Sequence, residues 1–360
     1  MAAPDALASL AWGECLVPAT SPPAELAQRI RREQGMLPDW LPRLAPLPWL
    51  SLTFSGIGAT PFAYLPVRLI EFVALVVSRD NSCRFCWGAQ RAFMGMLGYD
   101  AGEIDRIERD DLVSLDPAER AALEFARRIS RGTPRVTAAE RATLERLGFS
   151  RPQVAELAFA AAITIFANRV STLLALPPAR LERPAYRIAA RLLRPVIVRR
   201  LAPRLRTPEP APGQNAGIGA AVVTALGDSP AAGALRRTVD DALASPVLPL
   251  RAKLLMLGVV ARALDCRHSE REITAALVAD GMAPGDVANA LAHLAGIGLE
   301  EDHARLLPFA RDTVRCQPQE IQPRTRELAG ALGVDALLEV VGVAALANAL
   351  CRASVLLDPC

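Results

Sequence analysis

Apolar residues along this chain recur at intervals of three and four far more than in alternation, the periodicity of helices packed by one face. Punctuation between the apolar runs fits the same class. Asp116-Pro117-Ala118-Glu119 combines a capping acid, a proline at the first helical position and a glutamate at the third. Thr137 with Glu140, and Ser150 with Gln153, repeat the capping-box spacing. Gly98 and Gly148 fall where helices would close through a left-handed residue. Leu157 to Ala167, bounded by Glu156 and Asn168, predicts a buried helix. These signs predict an all-α fold, in which no run of eighteen apolar residues supplies a membrane span.

One stretch interrupts the pattern. Thr207 to Gly217 is rich in proline and glycine and predicts a linker, dividing the chain into residues 1–206 and 218–360. The halves look like copies. At an interval of 183 residues, Pro66, Arg68, Val76, Val77, Cys83, Arg84, Ala92 and Gly98 meet Pro249, Arg251, Val259, Val260, Cys266, Arg267, Ala275 and Gly281. Further on, with gaps, Leu147-Gly148 matches Leu332-Gly333 and Ala167-Asn168 matches Ala347-Asn348. A duplication of this kind predicts two similar helical bundles packed about a pseudo-twofold.

Composition narrows the function. The chain is 51% hydrophobic with a formal net charge of +3, too near neutral for a nucleic-acid binder. Residues 1–19 lack a basic start and carry Asp5 and Glu14, so no signal peptide is expected. Seven cysteines scattered through the chain do not read as a secreted disulfide framework and favour a cytoplasmic protein with one special pair. Arg183, Arg187, Arg191 and Arg194 form a helical stripe suited to an acidic partner or membrane surface, although Pro184, Pro195 and Pro203 favour a plain connector.

The special pair is Cys83-Arg84-Phe85-Cys86. Asn81 and Ser82 are candidate caps for a helix from about Cys83 to Leu97. Both thiols would sit in its first turn, on one face, where the helix dipole favours thiolate. Such a pair can hold a nucleophile and close a disulfide. Glu71 lies in an apolar helix twelve residues earlier, where it needs a partner such as Arg68 or Arg79, or a raised pKa fit for a proton relay. A zinc site lacks further ligands at suitable spacing, and no βαβ pattern surrounds the motif. Phe85, Trp87, Tyr64 and Trp49 could line an apolar pocket or simply pack the core. His293 and His303 lack ligand spacing.

Glu71, eleven residues, Cys83, two residues, Cys86 resembles the active-site motif of the carboxymuconolactone decarboxylase / AhpD-like hydroperoxidase superfamily. Pro66-Val67-Arg68, the capped helices after Asp116 and Thr137, Gly148-Phe149-Ser150 and Phe166-Ala167-Asn168-Arg169 extend the likeness over roughly residues 24–178, and more weakly over 219–357. The resemblance implies two tandem helical bundles and a thiol-dependent oxidoreductase. Cys86 would react with peroxide, Cys83 would resolve it, and Glu71 would relay protons. It implies no cofactor, a hydroperoxide or disulfide substrate, an external protein or small-thiol reductant, and a homo-oligomer. The family's histidine four residues after the second cysteine is Gln90 here, which hydrogen-bonds but does not shuttle protons. In the second half Glu71, Cys86 and Gln90 become Leu254, Ser269 and Ile273, leaving Cys266 with His268 nearby: a nucleophile–base pair or a leftover. The alternatives are a non-catalytic helical scaffold, favoured by these losses, and a decarboxylase-like lyase, which needs no cysteine pair.

Overall fold

The computed structural model of the chain describes residues 7–59, 62–109, 111–132, 136–183, 217–296 and 298–357. Among them helices follow one another with no strand, as the periodicity predicts. The first half runs through α1 (Ala24–Gln34), α2 (Leu41–Leu44), α3 (Pro48–Ala59), α4 (Val67–Asp80), α5 (Arg84–Leu97), α6 (Ala101–Glu108), α7 (Pro117–Arg131), α8 (Ala138–Arg146) and α9 (Arg151–Leu173), then a 3-10 turn, Arg180–Glu182. The second half holds α10 (Ala220–Leu226), α11 (Pro230–Ala244), α12 (Leu250–Ala263), α13 (Arg267–Ala279), α14 (Pro284–His293), α15 (Glu301–Ala304), α16 (Leu306–Asp312), α17 (Pro318–Ala331) and α18 (Val334–Ala353), with a closing turn, Ser354–Leu356. Residues 207–216 of the expected linker, and Arg187, Arg191 and Arg194 of the arginine stripe, lie outside the described residues.

Local chemistry sets the helix ends. Asp116 accepts the N–H groups of Ala118 and Glu119, both at 3.1 Å, and opens α7. Glu140 takes the Thr137 N–H at 2.8 Å, and Gln153 takes that of Ser150 at 2.8 Å, opening α8 and α9. Gly98 closes α5 at φ 92°, where a Cβ would be strained. The start of α5 departs from expectation. Asn81 caps the C-terminus of α4, its amide binding Val77 O and Ser130 Oγ. Ser82 turns the chain at φ 53°, and Cys83 itself is the N-cap.

The 183-residue interval extends to the helix starts: Val67 with Leu250, Arg84 with Arg267, Ala101 with Pro284, and Arg151 with Val334. Ser82 and Asp265 share a positive φ (53° and 50°), as do Gly98 and Gly281 (92° and 91°). The register continues unbroken through the last long helix. Glu156, Arg169 and Ser171 correspond to Glu339, Arg352 and Ser354, so the gapped matches at Gly148 and Asn168 give way to an ungapped one.

Helices α9 and α18, one from each half, pack together at the centre, and residues of both halves join one apolar core. By length and composition Arg151–Leu173 and Val334–Leu356 could each cross a membrane, yet their apolar windows are 94% and 83% buried within the protein. Other helices enclose them because a helix apolar on every face must be covered.

Each long helix carries a buried carboxylate. Glu156 accepts the N–H groups of Ala63, Tyr64 and Leu65 at 2.7, 2.8 and 3.0 Å and the Ser229 hydroxyl at 2.7 Å, tying the loop before α4 to the start of α11. Glu339 accepts from Trp49 Nε1 at 2.7 Å and Ser245 Oγ at 3.0 Å. It also pairs at 2.9 Å with Lys253, the chain's sole lysine, whose ammonium donates to the Ala242 and Leu243 carbonyls at the end of α11. Replacing Lys253 by methionine strands a buried carboxylate and its carbonyl neighbours. We expect Lys253→Met to lose about 3–5 kcal/mol in urea unfolding, with partial recovery in Lys253→Met/Glu339→Leu. An unchanged midpoint in the single variant would show that the pair contributes nothing.

Candidate active site

The two thiols meet where α4, α5 and α9 converge. The tight turn at Asn81-Ser82 aims Cys83 at the open first turn of α5, and the Cys86 N–H reaches Cys83 Sγ at 3.3 Å. Cys83 is fully buried and Cys86 partly so. Helix α9 closes the other side. Ser171 Oγ takes a hydrogen bond from Cys86 Sγ at 3.4 Å. Thr172 hydrogen-bonds the Cys83 sulfur, and the Arg169 charge lies close by. Both cysteines are free thiols.

This environment treats the two sulfurs differently. Burial opposes ionisation of Cys83 most strongly, but hydrogen bonds from the Cys86 thiol and amide, Thr172 and the Arg169 charge outweigh it and pull Cys83 below the ordinary thiol value. Burial, then the bond to and charge on Cys83, push Cys86 well above it, with Ser171 partly opposing. The site thus favours ionisation at Cys83 over Cys86.

Glu71 and Gln90 form a second pair. Gln90 lies one turn beyond Cys86 on α5 and donates its amide to a Glu71 carboxylate oxygen and, at 3.3 Å, to the Glu71 carbonyl. Burial pushes Glu71 up to about 7, with the Gln90 bond opposing. Arg68 is not its partner. That guanidinium binds Glu103 at 2.7 Å and Glu119 at 3.0 Å and lies over the Phe72 ring. Nor does an ion pair join Glu71 to Arg79 among the described residues. Tyr99 approaches from the end of α5 and is raised by burial and by the Glu71 charge. Among the described residues no hydrogen bond joins the Glu71–Gln90 pair to the thiols.

The aromatic neighbours pack. Trp87 is buried and donates to Glu108 at 2.7 Å, with Arg84 and Arg91 over its ring. Phe85 is equally buried, Trp49 is held by Glu339, and Tyr64 lies at the surface. Arg84 pairs with Glu182 at 2.8 Å across Gly88, where a Cβ would lie 2.4 Å from both side chains. Sequence reasoning missed Ser171 and Thr172, because hydroxyls in an apolar helix commonly satisfy themselves on the preceding turn.

In the second half Leu254, Ser269 and Ile273 are buried. Cys266 is fully buried, its sulfur 3.2 Å from Ser269 Oγ and 3.0 Å from Ser354 Oγ. Among the described residues its hydrogen-bond partners are hydroxyls, and none is His268. Among the described residues no group of three or more histidine, cysteine, aspartate or glutamate side chains is placed to hold a metal ion.

Comparison of the chain with models of known protein families, with curated proteins and with solved structures finds no match.

The Glu71 environment has a measurable consequence. Its carboxyl stays protonated up to about pH 7 in the folded protein but ionises near its ordinary 4.5 when unfolded. The folded state therefore binds the extra proton between these values, and this contribution to stability falls as pH rises through that window. Glu71→Gln should remove that fall, making the variant more stable than the parent at pH 8 by about 1–3 kcal/mol and similar to it at pH 4.5. Parallel urea titrations at the two pH values measure it. Equal differences at both would exclude a titrating Glu71.

Proposed function

We propose that the chain is a thiol-dependent oxidoreductase of the AhpD-like type, reducing a hydroperoxide or a small disulfide through Cys83 and Cys86. The observation that carries this reading is the Cys83 sulfur accepting the Cys86 N–H at 3.3 Å with the Cys86 thiol beside it, held by Ser171 Oγ at 3.4 Å. A thiolate and a thiol in contact supply a base and a nucleophile together. The less buried Cys86 meets the substrate first. As its sulfur attacks a peroxide oxygen, its proton passes to Cys83, the O–O bond breaks, and the leaving alkoxide takes a proton from water to depart as an alcohol. Cys86 becomes a sulfenic acid. Cys83 then attacks that sulfur, the S–O bond breaks, and water departs as the disulfide closes. Two thiols and one hydroperoxide thus give a disulfide, an alcohol and water, and an external thiol reductant returns the pair to its starting state.

This division of labour suits glutamine at position 90. The first proton transfer stays within the cysteine pair, so no histidine is needed for it. Gln90 instead holds Glu71 against α5, where a carboxyl near neutrality can trade protons with leaving groups.

The reading is tested by adding an organic hydroperoxide to the reduced protein and mapping thiols by mass spectrometry after denaturing alkylation. We expect a Cys83–Cys86 disulfide in the parent. Cys86→Ser should be inactive. Cys83→Ser should consume peroxide about 10²-fold more slowly and accumulate a trappable Cys86 sulfenic acid. If both thiols of the parent stay reduced under peroxide and under a small disulfide, the chain is better described as a helical scaffold.

A further inference from the structure

The second half holds a thiol pair that the sequence motif does not announce. Cys266, at the N-cap of α13, and Cys351, on the last turns of α18, are brought together by Ser354, whose Oγ lies 3.0 Å from Cys266 Sγ and donates to the Cys351 carbonyl at 2.7 Å. Ser269 and Ser354 complete the cluster. At the 183-residue interval this is the first-half arrangement with two groups exchanged. The N-cap cysteine recurs, Cys83 and Cys266. In the first half the short helix supplies the second thiol, Cys86, and the long helix the hydroxyl, Ser171. In the second half the short helix supplies a hydroxyl, Ser269, in the place of Cys86. The long helix retains its hydroxyl, Ser354, and adds the thiol, Cys351, in the place of Asn168.

We propose that Cys266 and Cys351 are a second redox site, oxidised by hydrogen peroxide to a disulfide that ties the start of α13 to the end of α18. Access decides the oxidant. Both sulfurs are buried, so a protein disulfide does not reach them. Cys351, however, lines a narrow crevice with Arg128, Gly132, Val136, Leu264 and Val355, whose free volume of about 10 Å³ is near that of a single water. Cys351 is thus the sulfur that meets peroxide, and Cys266 is the base behind it. The hydrogen bond from Cys351, aided by Ser269 and Ser354 against burial, pulls the Cys266 thiol down to about 4, while Cys351 is held well above the ordinary value. Arg352, beside Cys351 on α18, adds positive charge.

The chemistry balances. The Cys351 sulfur attacks one oxygen of hydrogen peroxide, the O–O bond breaks, and the proton passed through Cys266 leaves with the departing hydroxide as water. The Cys266 sulfur attacks the resulting sulfenic acid, the S–O bond breaks, and the leaving hydroxide takes a proton from solvent to form a second water. Two thiols lose two electrons in all, and one peroxide gains them.

The experiment uses the full chain in which Cys83 and Cys86 are both replaced by serine, so that the first pair cannot donate electrons or exchange. The parent protein serves as the second sample in case the double variant folds poorly. Each is reduced, treated with an excess of hydrogen peroxide sufficient to oxidise both thiol pairs, alkylated under denaturing conditions and digested without reductant. The expected result is a Cys266–Cys351 cross-linked peptide from most molecules in both samples, with a higher thermal midpoint than the reduced protein. In Cys266→Ala the reaction should stop at a Cys351 sulfenic acid that dimedone captures. The proposal is overturned if both cysteines alkylate fully after peroxide, if Cys351 pairs instead with Cys316, or if dimedone marks no cysteine in Cys266→Ala while the parent also lacks the cross-link.

Discussion

Two helices that are apolar on nearly every face, α9 and α18, have no stable position except against each other and inside a shell of further helices. That requirement places the most polar groups of the interior. Near the end of each helix stands an arginine, Arg169 or Arg352, and both are buried. A buried guanidinium is tolerated only where its donors find acceptors. Arg169 reaches Asn81 Oδ1 at 2.7 Å and the Val314 carbonyl at 2.9 Å. Arg352 reaches Asn348 Oδ1 at 2.6 Å, the Ser130 carbonyl at 3.2 Å and the same Val314 carbonyl at 3.2 Å. Burial, then the Arg169 charge, draws Arg352 down to about 9. Core packing and reactive chemistry are therefore not separable here. Arg169, a cation that the helix pair must bury, is also a charge that favours a thiolate on Cys83.

The opposite ends of the same helices carry the carboxylates Glu156 and Glu339, each a turn or two from a helix start, where the dipole favours an anion. Both reach across the chain. Glu156 gathers the loop that leads into α4, and so fixes the approach of Glu71 and of the turn that presents Cys83. Glu339 gathers Trp49, whose ring lies so close to α18 that a Cβ at Gly342 would approach it within 2.6 Å. Acid at one end and arginine at the other give each long helix a polar anchor at both ends of an apolar rod.

Much of this was legible locally. Helix starts at Pro117, Ala138 and Arg151 followed from capping residues whose bonds span three positions; the thiols do stand at a helix start, but Asn81 and Ser82, read as its caps, end the preceding helix and turn the chain, and Cys83 itself is the cap. What was not legible depends on distance along the chain. Arg68 looked like the partner of Glu71 because it lies one turn away, but Glu103 and Glu119, brought in by α6 and α7, compete for it and win. Ser171 lies 85 positions from Cys86 and offers no sequence signal of its own. Cys351 is as remote from Cys266. Its role emerges only when the ungapped register through α18 sets it opposite Asn168 rather than treating Asn348 as the match.

The two thiol pairs differ in what their oxidation does to the fold. Cys83 and Cys86 sit in one turn of one helix, so a bond between them constrains only the N-terminus of α5. A pair of this kind can cycle without disturbing the packing of α9 on α18. Cys266 and Cys351 belong to different helices, and a bond between them closes a long loop of chain and removes conformational freedom from the unfolded state. The second pair also sits beside Arg352, whose carbonyl partners lie at the end of α7 and after α16, so fixing α18 there holds the floor on which Arg169 and the first pair rest. The two pairs differ in where the second thiol stands: on the short helix beside Cys83, and on the long helix, in the place of Asn168, beside Cys266.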